Sequence, residues 1–154
     1  MTMLRRLQDS PHLLEVVYQA VYQMLLPFQR WLIPGSQIER LFVWLERLTK
    51  GPVFDCRMCG QCVLHDTGMT CPMTCPKNLR NGPCGGVRLD GNCEIYPDRP
   101  CIWVLAWERS RRMPTYGGEI LQILPPVNHS LKDTSAWIND FHLQQKMTPV
   151  GWDE

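Results

Sequence analysis

The sequence has no marked excess of charge of either sign. Its 154 residues include 16 basic and 15 acidic side chains, for a net charge of +1. A nucleic-acid-binding protein usually carries a clear basic excess, so this balance argues against a nucleic-acid partner. The chain is also too short for a (β/α)₈ barrel, which needs about 250 residues. No nucleophile motif, glycine-rich phosphate loop or HExxH helix is present, and we therefore expect no complete active site.

A long uninterrupted hydrophobic run is missing as well. The most apolar stretch, residues 13–33, contains a glutamate, an arginine, a proline and three glutamines. These polar residues argue against a membrane-spanning helix, which needs about 20 mostly apolar residues. Peripheral contact of the N-terminal helices with a membrane surface stays open. The first residues lack an apolar segment with a small-residue cleavage site, so a cytoplasmic location is expected.

Cysteine, in contrast, is concentrated in one stretch, because all eight cysteines lie between residues 56 and 101. In a reducing cytoplasm such a group indicates metal ligands rather than disulfides, although four disulfides would also match the number. His65 lies in the same stretch, and we expect it beside the site rather than among the ligands. We predict that all eight thiolates bind metal or an iron–sulfur cofactor: Cys56, Cys59, Cys62, Cys71, Cys75, Cys84, Cys93 and Cys101.

The spacing of the cysteines favours iron–sulfur clusters. The first three are arranged as C-x₂-C-x₂-C, which lets one tight loop direct three thiolates at a single centre, as in bacterial iron–sulfur patterns. Structural zinc sites more often use separated pairs of ligands. Prolines follow Cys71 and Cys75, as a proline follows a ligand in the ferredoxin pattern.

Eight thiolates match two [4Fe–4S] clusters, each with four ligands. The same number also matches two Cys₄ zinc sites, or one cluster and one zinc ion. Cys56, Cys59 and Cys62 must share one centre because they share one loop. We expect Cys101 to be the fourth ligand there, which leaves the second centre to the remaining four cysteines.

Three segments of different composition divide the chain. Residues 1–50 predict an N-terminal helical hairpin, whose second helix stops at Gly51–Pro52. Residues 51–110 are rich in cysteine, glycine and proline and predict a loop-dominated, cluster-binding core with a short β-hairpin at Asp90–Gly91. Residues 111–154 predict an extended C-terminal tail. The expected fold class is therefore a small α plus irregular metal-bound domain.

Start signals and periodicity place the helices. Ser10–Pro11 and the capping-box pair Ser36 and Glu39 predict the starts of the first two helices. A third helix is expected after Cys101 and a fourth near residues 134–145. Trp103 and Trp107, four residues apart in the third helix, are expected to cover the metal site.

Two groups of side chains allow two interpretations each. The N-terminal helices have wide apolar faces, which either pack on the protein's own core or dock a partner subunit. The basic residues among the cysteines either form a solvated surface or offset the charge of bound clusters. The residues concerned are Trp31, Ile38, Leu41, Phe42, Trp44, Leu45 and Leu48 for the faces, and Arg57, Lys77, Arg80, Arg88 and Arg99 for the charges.

The cysteine block also resembles a known family. The segments CRMCGQCVL, CPMTCPKNLRNGPCGG, GNCEI and PCIWVLAWERS, in this order and spacing, are similar to the C-terminal domain associated with methylenetetrahydrofolate reductase. PPVNHSLKDTSAWIN resembles the tail of the same family, so the likeness covers roughly residues 50–140. The domain occurs fused to the flavoprotein or as a separate MetV-type small subunit of acetogenic bacteria.

The resemblance implies a role in one-carbon metabolism. A subunit of this kind sits against a barrel-type flavoprotein reductase and passes electrons to or from its flavin through iron–sulfur clusters. It implies metal binding by all eight cysteines and a non-catalytic subunit of an oxidoreductase. Flavin and folate residues belong to the partner. The alternative is a structural zinc-binding scaffold without a redox role.

Overall fold

The computed structural model describes residues 7–142, and the regular secondary structure in this range is helical. Four α-helices follow one another along the chain, with short 3₁₀ turns between them. The helices are α1 (Pro11–Leu25), α2 (Gln37–Phe54), α3 (Ile102–Ser110) and α4 (Ala136–Phe141). The 3₁₀ turns are Leu26–Phe28, Pro72–Thr74, Gly117–Leu121 and His129–Leu131.

Helix starts follow the signals in the sequence. Pro11 is the first residue of α1, where its missing N–H costs no hydrogen bond. Ser36 is the N-cap of α2, and its side chain accepts a hydrogen bond from the Glu39 N–H at 3.3 Å. The Glu39 carboxylate in turn accepts the N–H of Gly35 at 2.6 Å, so the capping pair ties down the turn before the helix.

The end of α2 differs from the prediction. The helix does not stop at Gly51–Pro52 but continues through Pro52 to Phe54. Asp55 then takes a left-handed conformation with φ of 52°, and its N–H donates to the Gly51 carbonyl at 2.9 Å. This left-handed cap ends the helix where the cysteine loop begins.

The cysteine-rich segment has irregular backbone. Two isolated antiparallel bridges occur there, Val87 with Cys93 and Asn92 with Pro100. Between them the Gly91 N–H donates to the Arg88 carbonyl at 2.9 Å. A turn thus forms near Asp90–Gly91, but the regular β-hairpin expected there is not confirmed.

Two small apolar clusters form the core. The first contains Leu64, Met69 and Met113, with side chains of α1 packed against it. The second contains Cys101, Trp103 and Ala106 of α3 and its N-terminal flank. Both clusters include cysteines or lie beside them, so the core of this protein is built around the thiols.

The apolar stripe of α2 does not join either cluster. Ile38, Leu41, Trp44, Leu45 and Leu48 recur at helical spacing and are between 40% and 58% exposed. The buried residue of this helix is Glu46, at 4% exposure. The helix therefore turns a charged side chain inward and an apolar face outward.

The C-terminal segment folds back on the cysteine loop and on α2. The Asp133 N–H donates to the Met58 carbonyl at 2.8 Å, and the Asn139 side chain donates to the Gly60 carbonyl at 2.8 Å. The predicted helix near residues 134–145 is observed as α4, and its expected last residues lie outside the described range. Within residues 7–142, no helix is long and apolar enough to cross a membrane.

Candidate metal centre

Four cysteines line one cavity at the C-terminal end of α2. They are Cys56, Cys59 and Cys62 of one loop, and Cys71, which returns to the cavity just before a 3₁₀ turn. We call these four residues the first cysteine group. Lys50 and Glu46 of α2 complete one wall of the cavity.

Unusual backbone angles shape the loop that carries three of these thiols. Met58 and Gly60 both have positive φ, at 49° and 72°. A Cβ at position 60 would overlap the carbonyl oxygen of Leu131, so only glycine allows this close approach. The C-x₂-C-x₂-C spacing therefore works together with the returning tail, which holds the loop in place.

Backbone N–H groups favour the ionised form of the sulfurs in this group. The Met58 N–H donates to Cys56 Sγ at 3.4 Å. The backbone N–H groups of Leu64 and Met73 act to lower the pKa of Cys62 and of Cys71, respectively. Such bonds stabilise thiolate over thiol.

Burial acts in the opposite direction on the same sulfurs. It raises the pKa of Cys62 to about 11, against the lowering effect of Lys50. It raises the pKa of Cys71 to about 12, and the negative charges of Cys56 and Cys62 add to this. Four thiolates can therefore coexist here only with compensating positive charge, such as a metal ion or cationic side chains.

The other four cysteines line a wide groove, which Cys59 and Cys71 border as well. We call Cys75, Cys84, Cys93 and Cys101 the second cysteine group. Cys101 is buried against Cys84, and Cys84 Sγ accepts the Gly86 N–H at 3.4 Å. The N–H groups of Cys93 and Cys101 donate to the Arg99 and Gly91 carbonyls, which fixes these two positions on the turn.

The structure gathers the cysteines differently from the expected division, and which of them share a metal centre stays a prediction. Cys71, not Cys101, lies with the three cysteines of the loop, and Cys101 lies with Cys84. The spacing along the chain could not reveal this exchange, because α3 brings Cys101 back to the second group through packing of Trp103 and Ala106.

All eight cysteines are free thiols. Among the described residues, which include every cysteine, no three sulfur atoms lie within 4.8 Å of one another. Four thiolates at 2.3 Å from a tetrahedral zinc ion are only about 3.8 Å apart. The groups gather the thiols without drawing them to the separation that a single zinc ion requires.

A comparison with protein-family models matches residues 36–130 to the family described as methylene-tetrahydrofolate reductase C terminal. The chain belongs to this family. The matched range begins at the N-cap of α2, contains both cysteine groups and α3, and ends before α4. No curated protein and no solved structure matches the chain.

In this member of the reductase C-terminal family, two buried charges beside the first group were not predicted as site residues. The Lys50 ammonium contacts the Glu46 carboxylate at 2.9 Å, and both side chains are nearly buried. Burial acts to lower the pKa of Lys50, but Cys62, Glu46 and Cys56 outweigh it and raise that pKa. In the sequence, the two residues appear only as an i, i+4 Glu-Lys pair on the polar face of α2. Such a pair usually lies on the solvent-exposed side of a helix.

Arg80 is a second buried cation, which lines the groove of the second group and reaches the loop of the first. It is 6% exposed, and one of its guanidinium nitrogens donates to the Gln61 carbonyl at 3.4 Å. Burial lowers its pKa, whereas the nearby charges of Cys59 and Asp66 act to raise it. Its Nε is buried without a hydrogen-bond partner in the part of the chain that the structure describes. Of the two interpretations of the basic residues, a solvated surface does not describe this one.

The remaining predicted features divide between burial and exposure. Trp103 is buried against Cys101 in the second core cluster, whereas Trp107 is 48% exposed and, among residues 7–142, lies outside the lining of both groups. His65 lies outside the lining of both groups within residues 7–142. Its ring stacks on Tyr18 at 5.0 Å, and its Nε2 lies 3.5 Å from Asp66.

Proposed function

We propose that this protein is an iron–sulfur electron-transfer accessory subunit of a flavin-dependent methylenetetrahydrofolate reductase or a related oxidoreductase. Family membership supports the association with a reductase. Absence of nucleophile and phosphate-loop motifs supports a non-catalytic role. The cysteine groups carry the rest of the proposal.

The observation that carries it is the gathering of eight free thiols at two adjoining openings, of which one cavity is lined by four. Each group supplies the four thiolates that one [4Fe–4S] cluster takes. A cubane core places four irons and four sulfides between its ligands, so its thiolates stand farther apart than those around one ion. Bound clusters of this type would supply one-electron transfer.

The chain's own residues prepare the sites for such a cofactor. N–H groups directed at Cys56 Sγ and Cys84 Sγ stabilise thiolates. Hydrogen bonds of this kind and burial set the potential of a cluster. Gly60 permits the close approach of the tail that covers the first group.

The apolar face of α2 is proposed as the surface that docks the reductase subunit. Its five residues, Ile38, Leu41, Trp44, Leu45 and Leu48, are all exposed. An exposed apolar stripe with a tryptophan at its centre is typical of a protein interface. The stripe lies inside the range that defines the reductase C-terminal family, which favours the reductase over other occupants.

Anaerobic purification of the full chain tests the cofactor. We expect brown protein with about eight iron and eight sulfide per chain, as two [4Fe–4S] clusters require. Colourless protein with stoichiometric zinc would replace the proposal with a structural scaffold.

The electron-transfer role needs its own test. Reduced, desalted protein mixed with the oxidised reductase subunit is expected to bleach the flavin absorbance in the absence of any other donor. A cluster-loaded protein that leaves the flavin oxidised would contradict the role while leaving the cofactor in place.

A further inference from the structure

A histidine and two carboxylates meet outside the lining of both cysteine groups. One ligand atom each of His65, Asp66 and Glu119 lies within 4.8 Å of the other two. His65 Nε2 is 3.5 Å from a carboxylate oxygen of Asp66 and 3.8 Å from one of Glu119. Within residues 7–142, no second trio of histidine, cysteine or acidic side chains brings its ligand atoms this close. We call these three residues the histidine–carboxylate trio.

The separations in the trio match those of ligands around one small divalent ion. Nitrogen and oxygen ligands at about 2.0–2.2 Å from a tetrahedral zinc ion stand about 3.4 Å apart. The distances from the imidazole nitrogen to the two carboxylates are close to this value. Both are longer than an ordinary N–H···O hydrogen bond, which reaches about 3.2 Å. The spacing therefore favours three corners of a metal site over a hydrogen-bonded triad.

A bonded turn fixes the segment that carries His65 and Asp66. The next residue, Thr67, is buried, and its hydroxyl lies 2.7 Å from the carbonyl oxygens of both Val63 and Thr70. Its N–H also donates to the Val63 carbonyl at 3.1 Å. These bonds hold the two ligand positions in place directly after the loop of the first cysteine group.

Glu119 comes from a different part of the chain, the 3₁₀ turn Gly117–Leu121. Its N–H donates to the Tyr116 carbonyl at 2.9 Å. A Cβ at Gly117 would overlap the carbonyl oxygen of Ser110, so the turn lies directly against the end of α3. Two segments that are each fixed by backbone contacts thus bring the trio together.

The surroundings of the trio are aromatic and largely closed to water. The His65 ring stacks on Tyr18 at 5.0 Å and meets the edge of Tyr116 at 5.5 Å. The side chains of His65, Asp66 and Glu119 are 20%, 11% and 30% exposed. Such rings fix the orientation of the imidazole, and a less polar environment strengthens the attraction between carboxylates and a cation.

The charge of the trio also favours a bound cation. Two carboxylates at this distance repel each other, and a protonated His65 supplies one positive charge at most. The Asp66 charge also acts on Arg80, but that guanidinium donates a hydrogen bond to the Gln61 carbonyl and offsets the carboxylate only in part. A divalent ion would neutralise both carboxylates at once.

We propose that His65, Asp66 and Glu119 bind a divalent metal ion through one imidazole nitrogen and two carboxylate oxygens. Nitrogen and oxygen donors of this kind suit Zn²⁺ or Mn²⁺, whereas an iron–sulfur cluster takes thiolates. The site shares no ligand with the cysteine groups and does not depend on the proposed function. Its ion joins the segment after the first cysteine group to the turn after α3.

Mn²⁺ binding to the full chain, followed by the electron paramagnetic resonance signal of free Mn²⁺, tests the site. Manganese is the probe because imidazole and carboxylate bind it, whereas thiolates select softer metals. We expect one Mn²⁺ per chain and its displacement by Zn²⁺, which binds such donors more tightly. His65→Gln, Asp66→Asn and Glu119→Gln should each weaken Mn²⁺ binding at least about tenfold, since even the loss of an outer partner of a metal site costs that much.

Matched controls remove the same chemical groups elsewhere. His129→Gln and Glu108→Gln replace an exposed imidazole and an exposed carboxylate outside the trio, and both should bind Mn²⁺ like the wild type. Mn²⁺ should also raise the unfolding temperature of the wild type but not of the trio variants, because a ligand of the folded state stabilises it. Glu119 is the most exposed member, so Glu119→Gln decides the question if the other two variants fail to fold.

The result that overturns the inference is a wild-type chain that binds no Mn²⁺ at millimolar concentration, or trio variants that bind it as well as the controls do. Iron and sulfide analysis of the same preparation is independent of this result. Mn²⁺ binding by a chain without clusters would contradict the proposed function alone. A cluster-loaded chain without Mn²⁺ binding would overturn the metal site alone.

Discussion

The carboxylate of Glu46 accepts a hydrogen bond from the hydroxyl of Ser135 at 2.6 Å, although 89 positions separate the two residues in the chain. The same carboxylate binds Lys50 and the first N–H groups of α4. One buried side chain thus joins α2, the C-terminal segment and the wall of the first cysteine group.

Replacing this carboxylate should destabilise the protein. Glu46→Ala leaves the buried Lys50 ammonium and the start of α4 without their partner, and breaking a buried pair in this way costs about 3 kcal/mol. Denaturant unfolding of the loaded protein measures the change. Arg47→Ala, next in the chain and in an exposed pair with Asp133, is the control and should change stability by less than about 0.5 kcal/mol. Equal effects would contradict the connecting role of Glu46.

Gly60 should tolerate no side chain. Gly60→Ala places a methyl group against the Leu131 carbonyl and forces a positive φ on alanine, so we expect a loss of at least about 2 kcal/mol. Gly85 has open space around its Cα, and Gly85→Ala should stay within about 0.5 kcal/mol of the wild type. Thermal unfolding measures both, and a stable Gly60→Ala variant would show that the tail does not press on this loop.

The division of the cysteines can be tested by pairs of substitutions. Cys71→Ser should reduce the bound iron by half, and adding Cys56→Ser should remove no more, because both residues belong to the first group. Combining Cys71→Ser with Cys101→Ser should remove nearly all of it. Iron analysis of the purified variants provides the measurement. If Cys71→Ser with Cys56→Ser removes nearly all of the iron, and Cys71→Ser with Cys101→Ser removes only half, this division of the cysteines is wrong.

Charges on the apolar face of α2 should prevent association with the reductase. Leu41→Asp and Leu48→Asp replace exposed side chains, so the fold should remain intact while co-purification with the reductase subunit is lost. Ile123→Asp is the matched control, because Ile123 is an apolar residue, 90% exposed, outside this face. If the α2 variants still bind the reductase subunit, the face has another occupant. Loss of binding to lipid vesicles would identify a membrane surface, and loss of self-association would identify a second copy of the chain.

The metal-free protein should show raised thiol pKa values in the first group. Burial raises the pKa of Cys62 to about 11 and that of Cys71 to about 12. Because the thiolate is the nucleophile, alkylation by iodoacetamide should reach half its maximal rate at a higher pH in the folded chain than in urea. Mass spectrometry of the two peptides gives both profiles. Coinciding midpoints would show that the thiols are not buried in this way.

Local signals predicted the helix starts correctly. Pro11 and the pair Ser36 and Glu39 act through contacts within a few residues, so they could be read directly from the chain. The predicted end of α2 was wrong, because Pro52 lies within the last turn of the helix and the left-handed Asp55 provides a later cap.

The two faces of α2 are oriented opposite to the usual rule, by which the apolar face of a helix packs on the core. Its apolar stripe remains exposed, and Glu46 with Lys50 is turned inward. Periodicity identifies the faces of a helix but not which of them meets the core. That choice depended on hydrogen-bond donors from α4 and on the thiols, which lie far along the sequence.

The sequence by itself determined that the chemistry of this protein is concentrated in eight cysteines, because residue type and close spacing are local properties, and its motifs predicted the family. Only the tertiary structure decided that Cys71 joins the loop cysteines in one cavity, and that Lys50 and Glu46 form a wall of that cavity. The physical reason is that burial and charge proximity arise from contacts between distant segments, here between α2, the thiol loops, α3 and the returning tail.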